Sequence, residues 1–201
     1  VKKDVIEKIT PHLPEGVHFI AGHPLAGTEH SGPRAGFAEL FDNRWCLLVP
    51  VAGSDPAAIA RLRSFWEGIG SNVEEMDADH HDLVVAVTSH APHLIAYTMV
   101  GVADDLSRVT DGEVIKYSAG GFRDFTRIAS SDPTMWHDIF IANQQSILDV
   151  IGHFSRGLEV FKTAVEQQDS QAMLGIMTRA KVSRDHFTKM LAKRAYSKTM
   201  T

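Results

Sequence analysis

Trp45-Cys-Leu-Leu-Val-Pro50, then Asp55-Pro-Ala-Ala-Ile-Ala-Arg-Leu-Arg-Ser-Phe-Trp-Glu-Gly-Ile-Gly70, then Val73-Glu-Glu-Met76: this succession decides the fold class. The first piece is a short apolar run stopped by a proline, which reads as a buried strand. Asp55-Pro56 is a cap followed by a proline in the first helical turn, and Ile59, Leu62, Phe65, Trp66 and Ile69 recur at helical spacing behind it. Gly70 closes the helix, and a further strand follows. Strand, helix and strand in this order predict a βαβ unit and a parallel sheet.

Upstream, Val5, Ile6, Ile9 and Leu13 also recur at helical spacing, and Pro14-Glu15-Gly16 ends that helix. Val17–Ile20 reads as another strand, followed by a Gly-rich loop from Gly22 to Gly32 and a short helical stretch around Phe37–Phe41. Downstream of Asp77 the strand signals stop. Residues 79–108 read as one long helix that Pro92 should kink, because it lacks a backbone donor and crowds the carbonyl of Thr88. Asp132-Pro133 opens another helix, along which Ile147, Ile151, Phe154, Leu158, Phe161 and Val165 alternate at spacings of four and three. That is the seam of antiparallel helices or of a dimer interface. A last helix runs from about Ser170 to Tyr196. The predicted fold is α/β plus all-α: residues 1–77 as the end of a parallel-sheet domain, residues 78–201 as a helical domain.

Composition narrows the function classes. With 201 residues, 44% hydrophobic and 22% charged, the chain can build a core. A net charge of −5 speaks against nucleic-acid binding by bulk charge, and the basic run Arg179 to Lys198 reads as a solvated helix face. The lone Cys46 leaves no intrachain disulfide and no Cys-built zinc site, which fits a reducing, cytoplasmic setting. Asp82 to Asp104 encloses a run without formal charge, but His90, Pro92, His93 and Thr98 within it fit a core helix better than a membrane span.

Three segments carry polar residues that packing alone does not call for. Gly22-His-Pro-Leu-Ala-Gly-Thr-Glu29 follows a strand, where open α/β sheets place ligand-contacting residues. It is either such a loop, presenting His23, Thr28 and Glu29, or a turn with an exposed histidine. His81-Asp82 with Ser89-His-Ala-Pro-His93 puts His90, His93 and Tyr97 on one helix face, with His81 half a turn away from His90. A polar pocket, a metal site made by His23, His81, His90 and His93, or hydrogen-bonded core histidines would all use such residues, although no His-Glu-x-x-His or matching carboxylate accompanies them. Gly120-Gly-Phe-Arg-Asp-Phe-Thr-Arg127, followed by Ser131-Asp-Pro-Thr-Met-Trp136, suits recognition of a carboxylate by arginine, or is a solvated loop with an Arg–Asp pair.

Together, in this order, the three segments resemble the prephenate dehydrogenase family with its arogenate and cyclohexadienyl relatives, the NAD- or NADP-dependent enzymes of tyrosine biosynthesis. Ala91 stands where that family more often has Leu. The resemblance implies a Rossmann-type nucleotide domain followed by a helical dimerisation domain, a homodimer, and oxidative decarboxylation of prephenate or arogenate. By the same resemblance His23 is the catalytic base; Arg127, His93, Thr28 and Trp136 bind substrate; and Glu29, His81, His90, Arg123 and Asp124 form the surrounding network. No metal is implied. The family's Gly-x-Gly-x-x-Gly turn is not found in these residues, and the family has a serine just before the Val-Lys at which the sequence starts. The expectation is therefore a piece of a longer dehydrogenase, unable to hold the dinucleotide by itself. The alternative is a short homologue without chemistry.

Overall fold

The computed structural model describes residues 1–27, 32–107 and 116–198, with side chains to Met190. In chain order the elements are α1 (Lys2–Ile9), β1 (Ala21–Pro24), β2 (Trp45–Val49), α2 (Pro56–Gly68), β3 (Asn72–Glu75), α3 (Ala78–Val85), a π-helical turn (Ala86–His90) and α4 (Ala91–Ser107). After these come α5 (Gly120–Thr126), α6 (Pro133–Ala142), α7 (Gln144–Glu166) and α8 (Ser170–Lys198). Two compact units divide the chain, Val1–Val150 and Ile151–Thr201.

In the first unit the sheet order is β1-β2-β3. The predicted βαβ unit is present: β2 pairs parallel with β3, Cys46 opposite Val73 and Leu48 opposite Glu75, with α2 as the crossover. Asp55 caps α2 by accepting the Ala57 N–H at 2.9 Å, and Gly70 ends it at φ +90°, where a Cβ would collide with Asp42. The central strand is the most apolar run, and Cys46, Leu47, Leu48 and Val49 are all buried.

The sheet departs from expectation at its other edge. Val17–Ile20 is not part of the sheet, and the strand begins at Ala21. β1 runs antiparallel to β2, with His23 opposite Leu47. Among the described residues between these two strands there is a 3-10 turn, Pro33–Ala35, but no α-helix; the stretch around Phe37–Phe41 forms turns. A crossover helix is what a parallel neighbour requires, so a chain returning through turns pairs antiparallel. His23 therefore sits on a strand at the sheet edge and not in the loop beyond it.

The long helix also differs. It is interrupted at Ala86–His90 by hydrogen bonds one residue longer than in an α-helix, just upstream of Pro92. Val85, Ala86, Ala91, Ala96 and Ala103 form its buried side. Gly120–Thr126, which could have been a solvated loop, is a helix continued by a 3-10 turn, Arg127–Ser130. The helix expected from Asp132 onward breaks at Asn143, whose φ of −115° and ψ of 30° separate α6 from α7. Asp132 caps α6 by accepting the Thr134 and Met135 N–H groups at 2.8 and 3.1 Å. The second unit holds the rest of α7 and α8, joined through Gln168 at φ +53°, with Asp169 capping α8 through the Ala172 N–H. Of the seam residues, Ile147 is buried, whereas Phe154, Leu158 and Val165 are 45%, 58% and 53% exposed.

Replacing Leu48, which is fully buried, by Ala should lower the unfolding free energy by about 2–5 kcal/mol. Asp132→Ala removes one cap and should cost about 1 kcal/mol. Urea denaturation of both variants checks the ordering.

Candidate functional site

The first unit contains a cavity of about 610 Å³ between the end of β1 and the helices that follow the sheet. His23, Arg44, Ser89, His93, Arg127 and Trp136 all line it. Strand pairing to Leu47 sets His23, the π turn sets Ser89, and α4 sets His93. The 3-10 turn after α5 carries Arg127, and the capped start of α6 carries Trp136.

His23 is tied to the interior. Its Nδ1 lies 2.7 Å from Nε2 of His81, and Nδ1 of His81 lies 2.8 Å from Oδ1 of Asp82. His81 is fully buried and Asp82 nearly so. The Lys2 N–H donates to Asp82 Oδ1 at 2.9 Å and the Lys3 N–H donates to Oδ2 at 3.2 Å. These are the amides that an α-helix start leaves without intrahelical partners. Burial pushes the Asp82 carboxyl up, but the bonds from His81, Lys2 and Lys3 outweigh it and hold the group below the ordinary carboxylate range. Burial, reinforced by the closeness of His81 and the neighbouring Lys2 charge, lowers His23 to about 4. At neutral pH it is an uncharged imidazole, able to accept a proton.

His90 takes a different place. It is buried, lies edge-on to Trp136, and receives a hydrogen bond at Nδ1 from the Asn143 amide at 3.0 Å. The same amide donates to the Asp82 carbonyl at 2.8 Å. Burial is the main cause that lowers His90 to about 4. It supports the wall of the site and does not line the cavity. Tyr97, expected on the same face as His93, donates its hydroxyl to the Ser131 carbonyl at 2.8 Å and so ties α4 to the cap of α6.

His93 donates from Nδ1 to the Ser89 carbonyl at 2.8 Å and stacks on Trp136, with ring centroids 3.6 Å apart. Burial lowers its pKa, with the Arg127 charge acting in the same direction. The Trp136 indole N–H is buried without a hydrogen-bond partner. Such a donor costs about 1–3 kcal/mol unless something fills its place. Arg123 and Asp124 are exposed on α5 and do not line the cavity. Thr28 and Glu29 lie outside the described residues.

Among the described residues no group of three or more His, Cys, Asp or Glu side chains converges to hold a metal ion. Asp82, Asn143 and Arg44 are site residues beyond those expected from the sequence. Asp82 carried a signal, its adjacency to His81 in the second segment. Asn143 and Arg44 carried none, because nothing local separates an asparagine at a helix break or an arginine before a strand from a surface residue.

The sequence model of the nucleotide-binding domain of prephenate dehydrogenase matches residues 1–75, and that of its dimerization domain matches residues 77–179. The chain belongs to the prephenate dehydrogenase family. The cyclohexadienyl dehydrogenase of Zymomonas mobilis is 42% identical over 174 residues, 87% of this chain and 59% of that relative. The prephenate dehydrogenase of Bacillus subtilis is 36% identical over 184 residues, 92% of this chain and 49% of that relative. The crystal structure of Aquifex aeolicus prephenate dehydrogenase in complex with hydroxyphenyl propionate and NAD+ superposes with a TM-score of 0.79 at 34% identity, covering 84% of this chain and 59% of that one. The chain thus spans roughly half to three-fifths of the length of these dehydrogenases. The fold agrees with the family's arrangement, a Rossmann-like part followed by helices.

The buried histidines give this family member an acid liability. Unfolded, His23 and His90 take up protons near pH 6.5; folded, they do so only near 4. Their contribution to stability is complete above about pH 6.5 and is lost as the pH falls toward 4. The unfolding free energy from urea titration should drop across that window, by up to about 1.4 kcal/mol per pH unit for each histidine, and the midpoint with it. A flat midpoint between pH 7 and 5 would contradict the burial of these rings.

Proposed function

We propose that this site performs the substrate chemistry of a prephenate dehydrogenase, the oxidative decarboxylation of prephenate to 4-hydroxyphenylpyruvate. One observation carries the reading: a single cavity presents the uncharged imidazole of His23 together with Arg44 and Arg127. Prephenate has a ring hydroxyl to be deprotonated and two carboxylates to be held. A neutral base and two guanidinium groups match that demand, because a guanidinium pairs with both oxygens of a carboxylate.

In this reading His23 accepts the proton of the C4 hydroxyl as the hydride leaves the same carbon, so that a carbonyl forms. Loss of the ring carboxylate as CO2 then returns its electron pair to the ring, which becomes aromatic. Aromatisation supplies the driving force, and the protein's part is positioning and polarisation. Arg127 and Arg44 hold carboxylates, the Trp136 N–H gains its missing acceptor, and His93 contacts the side chain. By the family resemblance Thr28 also binds substrate, and Glu29, His81, His90, Arg123 and Asp124 belong to the surrounding network, Arg123 and Asp124 from outside the cavity wall.

A bound NAD or NADP supplies the hydride acceptor. Pro24, Leu25, Ala26 and Gly27 on the cavity wall are the residues that would hold its nicotinamide ring beside His23. Among the described residues the starts of α2, α3 and α6 do not suit the diphosphate: Asp55, Asp77 and Asp132 already accept their N-terminal amides and would repel phosphate. We therefore read residues 1–77 as part of a nucleotide domain, completed in the whole dehydrogenase by residues beyond these, and residues 78–201 as its helical partner. Arogenate is a second reading. His93 donates from Nδ1 to Ser89, which leaves Nε2 as an acceptor suited to an ammonium group.

Titrating prephenate, and arogenate in parallel, into the chain should shift the Trp136 indole N–H and the His23 ring resonances saturably. Arg127→Gln should weaken binding by at least about tenfold. Resonances unmoved by either compound would exclude the reading. For assembly, we propose a homodimer formed through the exposed seam of α7. Sedimentation should show a dimer that Leu158→Glu converts to monomer; a monomeric parent chain at high concentration would refute this.

A further inference from the structure

The side chain that governs His23 belongs to a residue with no access to the cavity. We propose that Asp82 is a positioning residue of this site: through His81 it decides which nitrogen of His23 carries the ring proton, and so leaves Nε2 of His23 as the lone-pair acceptor. The inference rests on the reading of His23 as the base and names what makes it one.

Hydrogen-bond directions lead to this result. Both Asp82 oxygens already accept main-chain amides, Oδ1 from Lys2 and Oδ2 from Lys3, and a carboxylate has no proton to give. The bond of 2.8 Å between Asp82 Oδ1 and His81 Nδ1 therefore takes its proton from His81. A neutral imidazole has one N–H, so Nε2 of His81 is an acceptor. The contact of 2.7 Å from that atom to Nδ1 of His23 then takes its proton from His23. The one N–H of a neutral His23 is thereby used, and Nε2 is left bare. The chain reads Asp82 carboxylate, His81 N–H, His81 lone pair, His23 N–H, His23 lone pair, and every bond has one donor and one acceptor.

Proton transfer balances along it. When Nε2 of His23 takes a hydroxyl proton, the imidazolium formed keeps its Nδ1–H on His81, whose orientation the Asp82 carboxylate maintains. The negative charge sits two bonds away from the new positive one, in surroundings where fully buried His81 excludes water. The other charged and titratable groups acting on His23 are the Lys2 ammonium and His90. The Lys2 cation opposes protonation, so Asp82 supplies the compensating charge.

A rival role for Asp82 is structural: its carboxylate caps the start of α1 from a distant element, and α1 would be misplaced without it. Ring tautomers separate the two. In two-bond nitrogen–proton NMR spectra of the full chain labelled at histidine, neutral pH should show His81 and His23 both protonated at Nδ1 and unprotonated at Nε2. In Asp82→Asn the amide can turn its NH2 toward His81 Nδ1, which moves the His81 proton to Nε2 and reverses the chain. The expected result is loss of the His23 Nδ1–H signal and gain of an Nε2–H signal, with Asp82→Glu restoring the parent pattern. A purely structural role predicts lower stability with the His23 tautomer unchanged, and that outcome overturns the proposal. So does an Nε2–H on His23 in the parent chain, a measurement that needs no variant to fold. Prephenate binding with the wrong tautomer would sink this inference and spare the site; the expected tautomers without binding would do the reverse.

Discussion

A carboxylate withdrawn from water needs partners for each oxygen, and Asp82 has them from three directions. Two amides come from the start of α1, and a ring N–H comes from His81. An unpaired buried charge would cost several kcal/mol, so losing these partners would be strongly destabilising. Much of the first unit's geometry depends on this one group. It fixes where α1 meets α3, orients His81, and through His81 holds His23 at the edge of the sheet. Asn143 adds a second attachment by binding the Asp82 main-chain carbonyl with the same amide that holds His90. The break between α6 and α7 is thereby tied to the helix that supplies the histidines.

The π turn at Ala86–His90 belongs to the same logic. On an uninterrupted α-helix, residues nine apart face nearly opposite ways, which would separate His81 from His90. A turn with longer hydrogen bonds alters the rotation between them. Both rings end in the interior, His81 against His23 and His90 against Asn143 and Trp136, while His93, beyond the turn, reaches the cavity. The cavity that results is chemically uneven. Uncharged imidazoles and an indole lie near the arginines, so an anion can be held without the bases being protonated.

The motifs were legible because catalytic loops and helix caps are local. Asp55-Pro56, Asp132-Pro133 and Gly70 act within a few residues, and each marks the helix end it was expected to mark. Histidines in a run without formal charge stood out for the same reason. The direction of β1 was not legible, since it depends on pairing with a strand more than twenty residues away through turns that resemble a helical stretch. Arg44 and Asn143 became site residues only by placement, and Arg123 and Asp124 show the converse, prominent in sequence and exposed on α5.

By itself the sequence determined the family, the βαβ unit around Trp45–Met76, the succession of helices after it and the short list of histidines, all of which follow from local spacing and residue chemistry. Tertiary structure alone decided which histidine faces the cavity and which supports its wall. That distinction depends on what each ring nitrogen faces: Asp82 through His81 for His23, and Asn143 for His90. A ring's proton goes where its partners leave room for it, and those partners lie 58 residues away for His23 and 53 for His90.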